Sequence, residues 1–208
     1  MNLSFIKKYI MPKEVDFLSA LNQHAMIITK ITDDLHKCFI EASQESCEAI
    51  LQDIHKSQEI REKNMNELLS SFITPLDRES IYRVITQLDW IAISITHFVV
   101  EAKAYDIHSL DENYELLIEK IQLQSQLLTA GFKTVKTDAQ KTAQNAQRVR
   151  DTYNELVEMY AKSMALLVSE NNLREMFIHK ELLGQLKEIG KRMQMCANSL
   201  EDIIMKMN

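Results

Sequence analysis

Histidines and carboxylates on neighbouring helices could hold a pair of iron ions, which is an obvious catalytic use of a helical protein. Such a centre needs two Glu-x-x-His pairs that face the protein interior. The residues three positions before the six histidines are Leu21, Asp33, Gln52, Ser94, Tyr105 and Met176. The nearest match is a single Asp-x-x-His, formed by Asp33 and His36. The sequence therefore argues against a di-iron enzyme.

Motifs for other kinds of catalysis do not occur either. The glycines Gly131, Gly184 and Gly190 lie too far apart to form a phosphate-binding loop. No serine, cysteine or histidine stands in a recognisable nucleophile motif. We therefore predict no catalytic residues and a protein that is not an enzyme.

The cysteines suggest a structural role. Cys38, Cys47 and Cys196 are odd in number and have no Cys-x-x-Cys spacing. A disulfide framework and a structural zinc site are therefore not expected. We predict three core thiols in a protein from a reducing compartment.

Charge and hydropathy limit the partners. The net charge is −6, and lysine and arginine form no run, whereas binding to nucleic acid needs clustered cations. Residues 1–12 lack the continuous apolar region of a secretory signal. No stretch approaches the ~18 apolar residues of a membrane span. We expect a cytoplasmic protein that binds no nucleic acid and has no membrane span.

Apolar residues recur every three or four positions through nearly the whole chain, which is typical of amphipathic helices. Only 3 glycines and 2 prolines are available for turns or strand bulges. Breaks are expected around Pro75, Ser109, residues 131–138 and Asn171. Thr74 and Ser109 are the expected N-caps of the third and fourth helices.

These segments predict an all-α fold, an elongated bundle of about six long antiparallel helices. We expect one domain over residues 1–208, with approximate halves 12–106 and 109–208. The third helix has apolar residues on several faces and should be central. The second helix is interrupted by polar residues at Ser57, Gln58 and Arg61.

The break before the third helix carries a distinctive motif. The residues run Phe72-Ile73-Thr74-Pro75-Leu76-Asp77-Arg78-Glu79-Ser80-Ile81-Tyr82, followed by Leu88-Asp89. This segment resembles the hallmark of the PhoU-like family encoded beside Pit-type inorganic phosphate transporters, and residues 11–18 and 200–206 are similar to the family's ends. The resemblance implies two three-helix repeats and an accessory or regulatory role in low-affinity phosphate transport.

Many members of that family bind metal clusters through acidic i, i+4 pairs on four helices. The resemblance places these pairs at Ile54/Gln58, Asp89/Ile93, Arg150/Asn154 and Lys187/Lys191. A metal ion about 4 Å from a fixed ammonium meets ~4 kcal/mol of repulsion per charge pair. We therefore expect that the metal cluster has been lost and that Asp89 is a remnant. A site shifted onto neighbouring acids stays open, and those acids are Asp53, Glu59, Asp151, Glu155 and Glu188.

The cations at these positions need partners of their own. Arg150 falls on the apolar stripe of the fifth helix, where an unpaired guanidinium would be costly to bury. Lys187 and Lys191 are a like-charged pair beside the stripe of the sixth helix. We predict a polar seam of Arg150, Lys187 and Lys191, with Asp89 as one acidic partner. The seam is either a set of ion pairs or an anion site, with phosphate as a candidate, unless the lysines are simply exposed.

The leading hypothesis is a non-catalytic accessory protein that docks on the cytoplasmic side of a Pit-type phosphate permease. The resemblance alone supplies this partner, and it implies a location peripheral to the inner membrane. A homo-oligomer stays open. The alternatives are a helical adaptor or structural protein unrelated to phosphate, a metal-dependent enzyme of phosphate chemistry, and a PhoU-like metal-binding protein with a shifted site.

Overall fold

A computed structural model describes residues 15–169 and 172–207 of the chain. Every regular element in these ranges is an α-helix, which confirms the predicted all-α fold. The elements are α1 (Phe17–Phe39), α2 (Gln44–Ser70), α3 (Arg78–Ala104), α4 (Glu112–Thr134), α5 (Ala139–Ser169) and α6 (Leu173–Met207). Helices of 23 to 35 residues correspond to rods roughly 35 to 50 Å long.

Short connections make consecutive helices antiparallel, as predicted. Helix α1 packs on α2 and α4, α3 packs on α6 and α2, and α5 packs on α4 and α6. We call the end with the α2–α3 and α4–α5 connections the lower end, and the opposite end the upper end. Lys136 and Asp16 form an ion pair at the lower end (2.8 Å). At the upper end, the Leu110 amide donates to the Phe39 carbonyl (2.9 Å).

The predicted apolar stripes form the core. Their fully buried members include Leu21, Ile28, Leu35, Ile81, Leu88, Ile95, Ile121, Leu186, Met193 and Leu200. Among the described helices, α3 has the length and apolar composition that could cross a membrane. Its stripe is buried inside the bundle, against α6 above all, as expected for the central helix of a core.

The predicted starts of α3 and α4 are wrong by a few residues. Asp77 is the N-cap of α3 and accepts a hydrogen bond from the Ser80 amide, and Asp111 caps α4 by accepting from Asn113 and Tyr114. Thr74 instead donates its hydroxyl proton to the Leu76 carbonyl inside the connection. Asp77 and Asp111 each lie directly before a first helical turn, where unpaired backbone amides need an acceptor. Their carboxylates therefore cap the two helices in place of the Thr74 and Ser109 hydroxyls.

The prediction of three core thiols is wrong for two of them. Cys38 in the last turn of α1 and Cys47 in the first turn of α2 form a disulfide, with Cα atoms 4.8 Å apart. The tight α1–α2 turn brings together two residues that are only 9 positions apart in sequence. Cys196 is a free, buried thiol, as expected. The cysteine content therefore no longer supports a reducing compartment.

Two further expectations concern organisation. The single domain with halves 12–106 and 109–208 stays a prediction. Residues 11–14 of the opening segment that resembles the family lie outside the described residues. The break expected near Asn171 also lies outside the described residues; α5 ends at Ser169 and α6 begins at Leu173.

Candidate functional site

Asp89 on α3, which the sequence predicts to be a remnant of the family's metal site, has a cation beside it. The Nε atom of Arg61 on α2 lies 3.2 Å from the Asp89 carboxylate. Partial burial raises the pKa of Asp89, while the Arg61 guanidinium opposes that rise. The neighbouring motif positions offer no second carboxylate, since Ile54 is buried and Ile93 is apolar. A guanidinium thus stands where a metal ion would have to bind Asp89.

Arg150 on α5 has a carboxylate partner on α6. Its two terminal nitrogens donate to the two oxygens of Glu201 at 2.5 and 2.8 Å. Gln147 and Asn198 accept further hydrogen bonds from the same guanidinium. The hydrogen bond with Glu201 raises the pKa of Arg150 above its ordinary value. Arg150 therefore has an acidic partner, as its position on the apolar stripe predicted, but that partner is Glu201 rather than Asp89.

The two lysines of the predicted seam have separate surroundings. The Lys187 ammonium lies 3.9 Å from the centroid of the Tyr160 ring, a cation–π contact between α6 and α5. Lys191 is exposed to solvent. The structure thus gives Arg150, Lys187 and Asp89 three different partners. An anion site that includes Arg150 and the lysines stays a prediction.

The acids that could form a shifted metal site are occupied by other groups in the structure. Asp53 is buried and forms ion pairs with Lys30 (2.5 Å) and Lys56 (2.7 Å). Burial alone would raise the pKa of Asp53, but the two ammonium groups together lower it. The other four acids also contact cations or polar donors: Glu59 contacts His55, Asp151 contacts Gln147, Glu155 contacts Lys120 and Glu188 contacts Arg192.

Of the polar residues that interrupt the stripe of α2, Ser57 faces the interior, whereas Gln58 is exposed. The hydroxyl of Ser57 is hydrogen-bonded to Nε2 of His24 on α1 (2.9 Å), and both residues are fully buried. Burial, and then the nearby Arg61 guanidinium, lower the pKa of His24 to about 4. No sequence motif distinguished His24 from the other histidines. Its position on the apolar face of α1, opposite a serine on α2, was the available signal.

A second group that the sequence did not reveal lies between α1 and α4. His36, Glu115 and Glu119 place one ligand atom each within 4.8 Å of one another. His36 belongs to the single Asp-x-x-His, and the two glutamates are spaced i, i+4 on one face of α4. A histidine with two carboxylates is a donor set that suits zinc or manganese. The sequence could not indicate this group because its members come from two helices far apart in the chain.

A cleft of about 400 Å³ opens at the upper end, below the α5–α6 hairpin. The Tyr114 hydroxyl shares a hydrogen bond of 2.7 Å with Nδ1 of His179 in this cleft, and Glu175 lies 3.5 Å from the other ring nitrogen. Burial raises the pKa of Tyr114, so its hydroxyl keeps its proton at neutral pH. A protonated hydroxyl of this kind does not act as a base at neutral pH.

The motif that carries the family resemblance forms the α2–α3 connection at the lower end. Phe72 and Ile73 are 94% and 81% exposed, so neither side chain contributes to the core. Arg78 fixes the connection by donating to the carbonyls of Leu68 and Ser71. Phe72 and Ile73 thus form the exposed part of the motif, whereas Ile81 belongs to the core, and the exposed part favours a role in contacts outside the bundle.

Comparison with known proteins supports the resemblance. No protein-family model matches the chain. UPF0111 protein YkaA of Bacillus subtilis (strain 168) is 27% identical over 144 residues, which cover 68% of this chain and 70% of YkaA.

Two solved structures from Shewanella oneidensis MR-1 are also similar. A PhoU-like protein superposes with a TM-score of 0.79 at 11% identity, and the match covers 91% of this chain and 99% of that one. A second structure, provisionally named as a PhoU-like phosphate regulatory protein, gives a TM-score of 0.76 at 12% identity over the same shares. The chain therefore has the PhoU-like fold, which confirms at the level of structure the resemblance seen in its sequence.

Proposed function

We propose that this protein is a non-catalytic accessory or regulatory protein of inorganic phosphate transport, which docks on the cytoplasmic side of a Pit-type permease. The observation that carries the proposal is the PhoU-like fold, which extends over 91% of the chain and is shared with a protein provisionally named as a phosphate regulator. The motif at residues 72–82, which resembles the hallmark of relatives encoded beside such permeases, supplies the partner.

The arrangement of ionisable groups supports a non-catalytic role. The carboxylates mapped onto the family's metal positions and their neighbours contact cations or polar donors, as Asp89 contacts Arg61. Burial raises the pKa of the Cys196 thiol, which opposes formation of a reactive thiolate. The Tyr114 hydroxyl is likewise held protonated. These groups are therefore suited to stabilise the bundle rather than to attack a substrate.

The same ion pairs support the proposal that the metal cluster of the family has been lost. A metal ion at Asp89 would have to displace the covalently attached charge of Arg61, and a metal ion at the α5 position would meet Arg150. The residues at these mapped positions do not fit a metal cluster. Elemental analysis of the purified protein should find less than one iron, zinc or nickel per chain, and a stoichiometric amount at these positions would contradict this part of the proposal.

Deletion of the gene tests the role in transport. Uptake of radiolabelled phosphate through the cognate permease should change, and the permease should co-purify with the tagged protein from solubilised membranes. A helical adaptor unrelated to phosphate would instead leave uptake unchanged and would not retain the permease. A measurable loss of an enzymatic reaction in the deletion strain would contradict the non-catalytic assignment.

One observation favours a second candidate function, a PhoU-like metal-binding protein whose site has moved. His36, Glu115 and Glu119 could hold an exchangeable divalent cation between α1 and α4. Titration calorimetry with zinc or manganese should then show binding that His36→Ala abolishes. Binding that survives this substitution, or binding that is absent in the wild type, would remove the candidate.

A further inference from the structure

A disulfide closes the turn between α1 and α2 at the upper end of the bundle. It joins Cys38 in the last turn of α1 to Cys47 in the first turn of α2, and the two cysteines are 9 positions apart in sequence. The stabilisation that a disulfide supplies increases with the length of the loop that it closes. This bond therefore stabilises the fold less than a bridge between distant parts of the chain would.

Other contacts hold the same helix ends together without the bond. Phe39, which follows Cys38, is buried, and its ring packs edge-on against Phe98 of α3 with the ring centroids 5.2 Å apart. The Phe39 carbonyl also accepts a hydrogen bond from the Leu110 amide (2.9 Å). After reduction the two thiols would thus stay close together, and the bond could re-form as an intramolecular reaction.

The disulfide lies in the wall of a cleft of about 440 Å³ at the upper end, and both cysteines line this cleft. Cys47 is partly exposed, whereas Cys38 is only 3% exposed. The opposite wall includes Val99 and Lys103 from the last turns of α3. A reductant can therefore approach the Cys47 sulfur through the cleft while the bundle stays folded.

The two sulfurs also differ in their electrostatic surroundings. Cys47 lies near the N-terminus of α2, where backbone amides favour a thiolate, and Cys38 lies at the C-terminus of α1, where backbone carbonyls disfavour one. Lys103 and Glu48 both line the cleft, so their opposite charges offset each other. Cys47 is thus both the more accessible sulfur and the one better suited to carry a negative charge.

We propose that Cys38 and Cys47 form a thiol–disulfide exchange site, at which a dithiol reductant opens the bond in the folded protein. The inference rests on the cytoplasmic location in the function proposed above. Disulfides in that compartment are usually transient and often sense the redox state, because thiol reductants are abundant there. A bond that is exposed in a cleft and closes a short loop fits a reversible switch better than a permanent link.

The exchange needs two steps and no other reagent. A thiolate of the dithiol attacks Sγ of Cys47, the bond between the two cysteine sulfurs breaks, and Cys38 leaves as a thiolate that takes up a proton. The second thiolate of the reductant then attacks the reductant's own sulfur in this mixed disulfide, and Cys47 leaves as a thiolate. Two electrons and two protons pass from the dithiol to the protein, and the dithiol becomes a disulfide.

Reduction should change the conformation of the α1–α2 turn. Ala42 in this turn has a φ of 53°, in the left-handed region that a residue with a Cβ atom rarely adopts. The closed loop restricts the turn, so its opening lets Ala42 leave this region more readily. The Ser43 amide donates to the Lys37 carbonyl (3.0 Å) across the turn, and this hydrogen bond should open more often in the reduced form.

Cys196 provides an internal control for unfolding. It is a free thiol with no exposed surface, so an alkylating reagent reaches it only when the bundle opens globally. In one experiment the folded full-length protein is treated with millimolar dithiothreitol, quenched in acid and alkylated in denaturant, which gives the rate of reduction. In a second experiment N-ethylmaleimide is added to the folded, unreduced protein, and the labelling of Cys196 gives the rate of global opening.

We expect reduction of the bond to be roughly tenfold faster than labelling of Cys196, or faster still. The reduced form should predominate in a buffer with roughly a hundredfold excess of reduced over oxidised glutathione. Hydrogen exchange of residues 40–43 should be faster in the reduced form, while circular dichroism stays helical. In the folded single variants, the Cys47 left by Cys38→Ser should react with a disulfide reagent roughly tenfold faster than the Cys38 left by Cys47→Ser.

Reduction no faster than the labelling of Cys196 would overturn the proposal, because the bond would then open only on unfolding. A bond that stays oxidised at that glutathione ratio, equal hydrogen exchange in the two forms, or a Cys38 that reacts faster than Cys47 would also overturn it. These measurements need neither permease nor phosphate. Their failure would leave the proposed role in transport intact, and unchanged phosphate uptake in the deletion strain would leave the exchange site intact.

Discussion

Replacing Arg150 by methionine should lower the stability of the bundle measurably. Methionine keeps most of the aliphatic packing of the arginine but removes the charge, so Glu201 loses two hydrogen bonds of 2.5 and 2.8 Å. The side chains of the pair are 22% and 29% exposed. The pair therefore lies between a solvent-exposed ion pair, which contributes up to ~1 kcal/mol, and a buried one, whose disruption costs ~3 to 5 kcal/mol.

Because the pair is partly exposed and therefore screened by solvent, we expect Arg150→Met to lower the free energy of unfolding by about 2 kcal/mol, between these two ranges. For a chain of this size, such a loss lowers Tm by roughly 4 to 8 °C. Thermal denaturation followed by circular dichroism at neutral pH measures the change. Arg148→Met is the matched control, because Arg148 is exposed on the same helix and its substitution removes the same charge. The control should shift the stability by less than about 0.5 kcal/mol.

A double-mutant cycle with Glu201→Gln assigns the loss to the pair. Arg150→Met should cost much less in the Glu201→Gln background than in the wild type. Equal costs in both backgrounds, or equal effects of Arg150→Met and Arg148→Met, would refute the ion-pair interpretation. If inorganic phosphate raises the Tm of the wild type but not that of Arg150→Met, the predicted anion site at Arg150 gains support instead.

Three further predictions concern the interior and the disulfide. Gly190→Ala should lower the free energy of unfolding by about 1 to 3 kcal/mol, because the added Cβ would lie 3.0 Å from both Gln124 and Leu156. Gly184→Ala has open space around it and should raise the free energy of unfolding by up to ~1 kcal/mol. Urea denaturation measures both changes. Burial lowers the pKa of His24 to about 4, so His24 is neutral in the folded protein. Because the unfolded chain takes up a proton on this histidine more readily, the free energy of unfolding should be greatest above pH 6.5 and fall by about 3 kcal/mol between pH 6.5 and 4. The fall should be smaller in His24→Gln. Thiol titration of the unfolded, unreduced protein should find Cys196 as the single free thiol, and reduction should lower Tm because it releases the loop that the disulfide closes.

Much of the fold could be predicted because it depends on local patterns. The spacing of apolar residues determines which face of each helix is buried, as for Leu88 and Ile95 on α3. The scarcity of glycine and proline excludes most turns, so the bundle of long helices follows directly. The helix starts could not be predicted to the residue because several residues near Pro75 could serve as a cap, and only the three-dimensional path of the connection selects Asp77.

The candidate site could be predicted only in part because its contacts join distant residues. The position of Arg150 on an apolar stripe showed that an acid was needed, but Glu201 lies 51 residues away on another helix. The partner of Ser57 on α1 is 33 residues away and could not be identified from periodicity. The pairing of Cys38 and Cys47 depends on the α1–α2 turn, which neither the number of cysteines nor their motif spacing reveals.

The two guanidinium–carboxylate pairs bear on how such a protein could be regulated. Arg61 links α2 to Asp89 on α3, and Arg150 links α5 to Glu201 on α6. A metal ion between carboxylates is exchangeable, so its supply can control the packing of the helices that hold it. A guanidinium is covalently attached and remains charged at every physiological pH, so these links do not depend on a metal supply. On the proposed function, a signal would therefore reach this protein through its surface contacts, and the α2–α3 connection exposes Phe72 and Ile73 for such a contact.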